Sequence, residues 1–338
     1  MKRALSISFL AVLLFIAAKG WGASGHVISI TGAVRQPLNV STDDLSRFES
    51  VSVRLNDITS NGTYHGAFEY RGVPLRTLLE LANIQKKKTD FPKQIDMAII
   101  VHSKSGKQTV LSWGEVFYRN PAEIIIADSA APIMPIKSCK GCHQPEVYQR
   151  WYSPLKRAIS FPKLVVANDF YTDRSLEDIT GIEVVDLHPG TAATKKLSRL
   201  FSPAFTITGD VKKRLNIEEL SAYPHVETAV KELGDGRGYH GLKIFEGVPL
   251  KDLLDKAGIE PDMNTAFLAS APDGYRSLIS YGELILNPSG RKFIMADRVS
   301  GELLKKDGKF VMIAPDDLAA DRWVKAVEKI EVIRLNKK

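Results

Sequence analysis

Tyr64-His65-Gly66, followed by Gly72-Val73-Pro74-Leu75 and Leu78-Leu79, returns as Tyr239-His240-Gly241, Gly247-Val248-Pro249-Leu250 and Leu253-Leu254 with the internal spacing unchanged. A block repeated with its spacing intact marks a tandem duplication. The block also sets local structure. Proline suits a first helical position, because the N–H it lacks would have no partner there, and the leucines that follow place one apolar face on neighbouring strands.

Working outward, Ile30-Thr31-Gly32-Ala33-Val34 recurs as Ile207-Thr208-Gly209-Asp210-Val211, and Leu38-Asn39-Val40 as Leu215-Asn216-Ile217. Downstream, Ser112-Trp113-Gly114-Glu115 matches Ser280-Tyr281-Gly282-Glu283, and Ala127-Asp128 matches Ala296-Asp297. The copies then differ in length, rejoin at Asp173-Arg174 against Asp321-Arg322, and close on Ile182-Glu183-Val184-Val185 against Ile330-Glu331-Val332-Ile333. The first copy thus carries about 21 extra residues, within roughly 129–161. Short strand patterns such as Ser52–Leu55, Ala98–Val101 and Glu123–Ile126, with one clear helix per copy, predict an α+β fold. The domains are then 24–190 and 191–338, with the loop from Thr191 to Pro203 as their boundary.

Residues 1–23 pair a basic start, Lys2 and Arg3, with an apolar run from Ala4 to Ala18 and small residues up to Ala23. This is the pattern of a cleavable secretory signal peptide, so the expected location is periplasmic or secreted. No later stretch reaches membrane-spanning length. The formal charge of +7 includes Lys2, Arg3 and Lys19, and no block of like charge suggests a nucleic-acid partner.

The only two cysteines fall in Cys139-Lys140-Gly141-Cys142-His143, inside the extra segment. Cys-x-x-Cys-His is the attachment sequence of c-type haem: two thiols three positions apart can add to the two vinyl groups, and the next residue places an imidazole under the iron. Cys139 and Cys142 are then the covalent haem attachments and His143 the proximal ligand. His188 is a candidate distal ligand, with Met134, His102 and His65 as others. Two further readings remain open, a Cys139–Cys142 disulfide and a zinc site.

The order Gly-Val-Pro-Leu with a helix, then Asp273-Gly274-Tyr275, Gly301-Glu302-Leu303-Leu304, Phe310–Pro315 and Trp323-Val324-Lys325, resembles the oxidoreductase molybdopterin-binding domain of the sulfite oxidase family. The second copy carries the resemblance along nearly its whole length. The first keeps the opening half and closing strands, with Ser105-Gly106-Lys107 in place of Asp-Gly-Tyr. The resemblance implies a cysteine ligand to molybdenum before the Gly-Val-Pro-Leu block, yet neither Asp57–Tyr64 nor Glu232–Tyr239 contains one. It therefore implies the fold rather than the chemistry. It also brings His65 and His240 closest to the family's ligand pocket.

These readings combine into an exported monohaem c-type cytochrome for electron transfer with redox partner proteins of the cell envelope. It would be built on two sulfite oxidase-like domains, the first with a haem insertion, with molybdopterin second to haem c as cofactor. Two alternatives stand beside it: a molybdopterin-dependent oxidoreductase with its own haem c, and a non-redox binding module with the Cys139–Cys142 disulfide.

Overall fold

The computed structural model describes residues 26–86, 91–133, 157–187, 200–234, 238–305 and 308–335. In the first half, a five-stranded sheet runs in the order Leu38–Ser41, Val27–Gly32, Ile179–Asp186, Met97–Ser103 and Gln108–Ser112. The opening strand lies parallel to the closing one, Ile30 opposite Ile182, and the other pairs are antiparallel. The second half repeats this order and these senses with Leu215–Ile217, Phe205–Gly209, Lys329–Arg334, Thr265–Ser270 and Arg276–Ser280.

A second, antiparallel sheet completes each half. Val51–Ile58, Tyr64–Pro74, Ile124–Pro132 and Lys163–Val166 form the first. Its counterpart is built on Val226–Gly234, Gly238–Pro249, Ile294–Val299, Val311–Ile313 and Val324–Lys325, with Glu302–Leu303 added beside Ile294–Val299. The glycine of the repeated Gly-Val-Pro-Leu block sits where each long central strand slips its register. A Cβ on Gly72 would lie 2.2 Å from the carbonyl oxygen of Ile126, and one on Gly247 would lie 2.1 Å from that of Met295. Only glycine admits that approach.

The expected α+β class is corrected: the chain is mostly β. Among the described residues, only Leu75–Ala82 and Leu250–Ala257 sustain an apolar stripe over two turns, burying Leu75, Leu78, Leu79 and Ala82 and, in parallel, Leu250, Leu253, Leu254 and Ala257. The other described α-helices, Thr42–Leu45, Trp113–Phe117 and Tyr281–Ile285, are single turns launched by capping boxes. Most of the remaining buried apolar residues lie in strands, several buried on both faces, as in Met97–Val101 and Ile124–Ala127, so sheet pairing dominates. The helices start directly after Pro74 and Pro249, as expected, but the prolines themselves are not first helical residues. Pro74 and Pro249 stand one position earlier, as N-caps that are still paired in their strands, and the helices begin at the leucines.

The two five-stranded sheets pack on each other through equivalent residues, Ala98, Ile100 and Val110 from one half and Ala266, Leu268 and Leu278 from the other. Backbone bonds repeat the symmetry: Val110 N–H donates to Met263 C=O at 2.8 Å, and Leu278 N–H to Ile95 C=O at 2.9 Å. Beside this apolar layer lies a buried ionic one. Arg174 donates to Glu115 at 2.8 Å, Asp169 at 2.9 Å and, across the interface, Ser280 at 3.2 Å. Arg322 donates to Glu283 at 2.7 Å, to Asp317, and across the interface to Ser112 at 3.2 Å. The glycines of the Ser-Trp/Tyr-Gly-Glu repeat make room for these arginines. A Cβ on Gly114 would meet Arg322 Cδ at 2.2 Å, and one on Gly282 would meet Arg174 Cδ at 2.5 Å. Among the described residues no helix is long and apolar enough to cross a membrane.

Candidate functional site

Each half holds a cleft at an equivalent place, between the end of the long hairpin and the loop that leads into the closing strand. The second-half cleft, about 350 Å³, is lined by Glu232, His240, Asp273, Tyr275, Asp321, Trp323 and Lys325, with Leu200, Gly234 and Ala320. The Asp-Gly-Tyr element is a turn in which Asp273 Oδ1 accepts the Tyr275 N–H at 2.9 Å and Gly274 takes a left-handed φ of 82°. This turn presents Tyr275 to the cleft. Trp323 forms the other aromatic wall. Its indole N–H donates to Ala314 C=O at 3.0 Å, and its ring meets Phe245 edge-on at 5.4 Å, which fixes its plane.

Asp321 is held from both halves. Its carboxylate pairs with the Lys93 ammonium and accepts the Tyr118 hydroxyl at 3.2 Å, while its backbone carbonyl accepts the Tyr275 hydroxyl. Lys93 and Tyr118 both come from the first half, so the second-half cleft is not finished by its own residues alone. Glu232 pairs with Lys243.

The first-half cleft, about 400 Å³, takes Asp57, His65, Ser105, Lys107, Asp173 and Glu177 from positions equivalent to Glu232, His240, Asp273, Tyr275, Asp321 and Lys325. Its floor is ionic. Lys163, 2% exposed, donates to Asp57 at 2.8 Å and to the Tyr70 hydroxyl at 2.9 Å. Asp57 also accepts Tyr70 at 3.0 Å and Thr172 at 2.7 Å. Burial works to raise the Asp57 carboxyl, but the Lys163 ammonium and the hydrogen bonds from Lys163, Thr172 and Tyr70 outweigh it, and the group is held below its ordinary value. Burial first, and the Asp57 charge second, push the Tyr70 hydroxyl upward. In the second half the corresponding floor residues are Phe245, Val311 and Ala320, which form no such network.

Of the residues singled out from the sequence, His65 and His240 line these two clefts. His102 lies on a strand with its Nε2 3.4 Å from Glu183. Cys139, Cys142, His143, His188 and Met134 lie outside the described residues, as does the segment 1–23. Residues that sequence reasoning did not single out include Asp57, Tyr70 and Lys163, as well as Lys93 and Tyr118. The one available signal was the contrast within the repeat at Tyr70 and Phe245, polar in one copy and apolar in the other.

No curated protein matches the chain. The solved structure of the sulfane dehydrogenase SoxCD from Paracoccus pantotrophus aligns over 93% of this chain and 78% of its own, with a TM-score of 0.33 and 10% identity, a likeness too slight to carry an argument. The model of the oxidoreductase molybdopterin binding domain matches residues 203–338, a span that includes every lining residue of the second-half cleft except Leu200. This match corrects the expected cofactor: it points to molybdopterin, not haem c. The haem expectation rested on five residues, Cys139 to His143, whereas the match spans a folded unit with its own cleft. Among the described residues no group of three or more His, Cys, Asp or Glu could hold a metal ion. The second half of the chain, residues 203–338, is thus similar to the sulfite oxidase-like oxidoreductase molybdopterin binding domain.

Proposed function

We propose that this chain is a molybdopterin-dependent oxidoreductase that takes its cofactor in the second-half cleft. The observation that carries the reading is the coincidence of the family match at 203–338 with a cleft whose lining suits a flat, polar heterocycle bearing a phosphate. Tyr275 and Trp323 offer aromatic faces, and Asp273 and Glu232 offer acceptors for an amino-substituted ring edge. Lys325 and His240 stand for the phosphate. When bound, such a cofactor supplies two-electron redox chemistry at its metal.

The organic part of the cofactor fits these residues. A thiolate to the metal does not: none of the lining residues is a cysteine, and both cysteines of the chain lie at 139 and 142. The chain's own groups in this cleft therefore serve to bind and orient. Trp323 and Tyr275 hold the ring plane, Lys325 offsets phosphate charge, and Asp321, fixed by Lys93 and Tyr118, makes the cleft depend on both halves. The proposal takes the two halves as tandem domains of one type, 24–190 and 191–338, and keeps the export signal read in 1–23.

The test is cofactor retention in a host that makes molybdopterin. Pterin is released by denaturing the purified chain, oxidised and measured by fluorescence. Wild-type protein should carry it. Trp323→Ala and Lys325→Glu should each lower the retained amount about tenfold or more, in line with loss of a stacking wall or reversal of a charge. Wild-type protein free of pterin, or retention unchanged in both variants, would count against the assignment.

A further inference from the structure

The first-half cleft differs from the second in what its hydrogen-bonding groups have left to offer a ligand. Its acceptors are mostly spent internally. Asp57 is satisfied by Lys163, Thr172 and Tyr70. Glu177 pairs with Arg157, lies 3.4 Å from Lys163 Nζ and accepts the Ser160 N–H at 3.2 Å. Asp173 accepts the N–H of Ser60 at 2.8 Å and its hydroxyl at 2.7 Å.

The donors are not spent in the same way. Arg157 Nη1 is buried without a hydrogen-bond acceptor, and Asp57 Oδ2 lies 3.5 Å from it. Lys107 lines the cleft with no carboxylate at ion-pair distance among the described residues, and the His65 ring lines it without a described hydrogen-bond partner. A buried donor left without an acceptor is unfavourable, and a ligand that accepts from it recovers that cost. A cleft with spare donors and few spare acceptors selects ligands rich in acceptor oxygens.

We propose that the first-half cleft is a separate binding site for the oxyanion group of a small molecule, a phosphate or a carboxylate, held by Lys107, Arg157 and His65. This donor set belongs to the first half alone. The second half has Tyr275 where the first has Lys107, and Lys325 where the first has Glu177. Asp178 is the lining carboxylate with no donor to its side chain among the described residues, and it opposes added negative charge. This inference does not rest on the molybdopterin reading and survives its failure.

Calorimetric titration of the full chain at neutral pH with inorganic phosphate, and separately with acetate, tests it. Saturable binding of either probe that Lys107→Ala weakens supports the site, and the probe that binds more tightly tells which oxyanion it prefers. Lys107→Ala should weaken binding about tenfold, equivalent to about 1.4 kcal/mol. Asp178→Asn should tighten it about threefold by removing the opposing charge. Lys305→Ala, at an exposed lysine that lines neither cleft, should leave it unchanged. Lys107 is exposed, so loss of folding is not expected, and a circular dichroism melt checks this. The proposal is overturned by absence of saturable binding with both probes, by wild-type affinity in Lys107→Ala, or by an equal weakening in Lys305→Ala.

Discussion

Arg322→Met is expected to lower the stability of the chain by about 3–5 kcal/mol at neutral pH, because removing one partner of a buried ion pair leaves the other charged and desolvated. Arg322 is fully buried, and so are its partners Glu283 and Asp317. The substitution also removes the bond to Ser112, one of the links that fasten the two halves. Arg119 remains, 3.1 Å from Glu283 and 3.9 Å from Asp317, and it limits the loss to the lower part of that range. Arg174→Met tests the same design in the first half. Glu115 and Asp169 have no other cation at ion-pair distance among the described residues. Urea unfolding reads both variants as a fall in midpoint. A loss below about 1 kcal/mol in each, the size of a surface pair, would contradict the buried network.

Stability of the wild-type chain should also fall as pH drops below about 4.5, the ordinary value of a glutamate. Burial acts to raise the Glu283 carboxyl, but Arg322 and Arg119 outweigh it and bring it down to about 2. A carboxylate whose folded value is depressed contributes stability above its unfolded value, and that contribution is lost as pH falls through the folded one. Asp57 acts in the same direction. Glu115 and Asp169 behave oppositely. Burial raises both, and Arg174 offsets only part of it, so their contribution is fully present below their ordinary values and is lost as pH rises through the raised ones. Asp317 is also raised by burial. Glu115 feels the charge of Glu283 across the interface, so the two ionise as a pair, with Glu283 holding the charge further into acid. Midpoints measured from pH 7 down to pH 3 should show a decline that Glu283→Gln flattens. An acid decline of unchanged steepness in Glu283→Gln would contradict this assignment.

How far the sequence could be read depended on the range of the interaction. The leucines after Pro74 and Pro249 carry their helical stripe within eight residues, and the closing runs at Ile182 and Ile330 carry their strand character locally. The class was misjudged from the one clear helix per copy, which spans only eight residues while the chain on either side of it pairs into strands. Asp173-Arg174 and Asp321-Arg322 were visible as the point where the repeats rejoin. That each arginine crosses to a serine cap of the other half was not, since no local pattern reports a contact spanning more than 100 residues.

The candidate sites divide in the same way. His65 and His240 stand inside the repeated block and were legible from it. Asp57 and Lys163 are 106 positions apart, and their pairing emerges only when the first half closes on itself. Cys139 to His143 drew attention because its pattern is compact, and it led to haem c, whereas the match over 203–338 points to molybdopterin. A local motif of five residues weighed more in that reading than a domain-length order of short, degenerate ones.

The central claim, that the second-half cleft holds a molybdopterin, is tested most directly by pterin analysis and elemental analysis on the same sample of the purified full chain. Such a site predicts close to one pterin per chain, lost when Trp323 and Lys325 are replaced together. Pterin below about a tenth of the chain concentration, from a host shown to load a control molybdoenzyme, would contradict it.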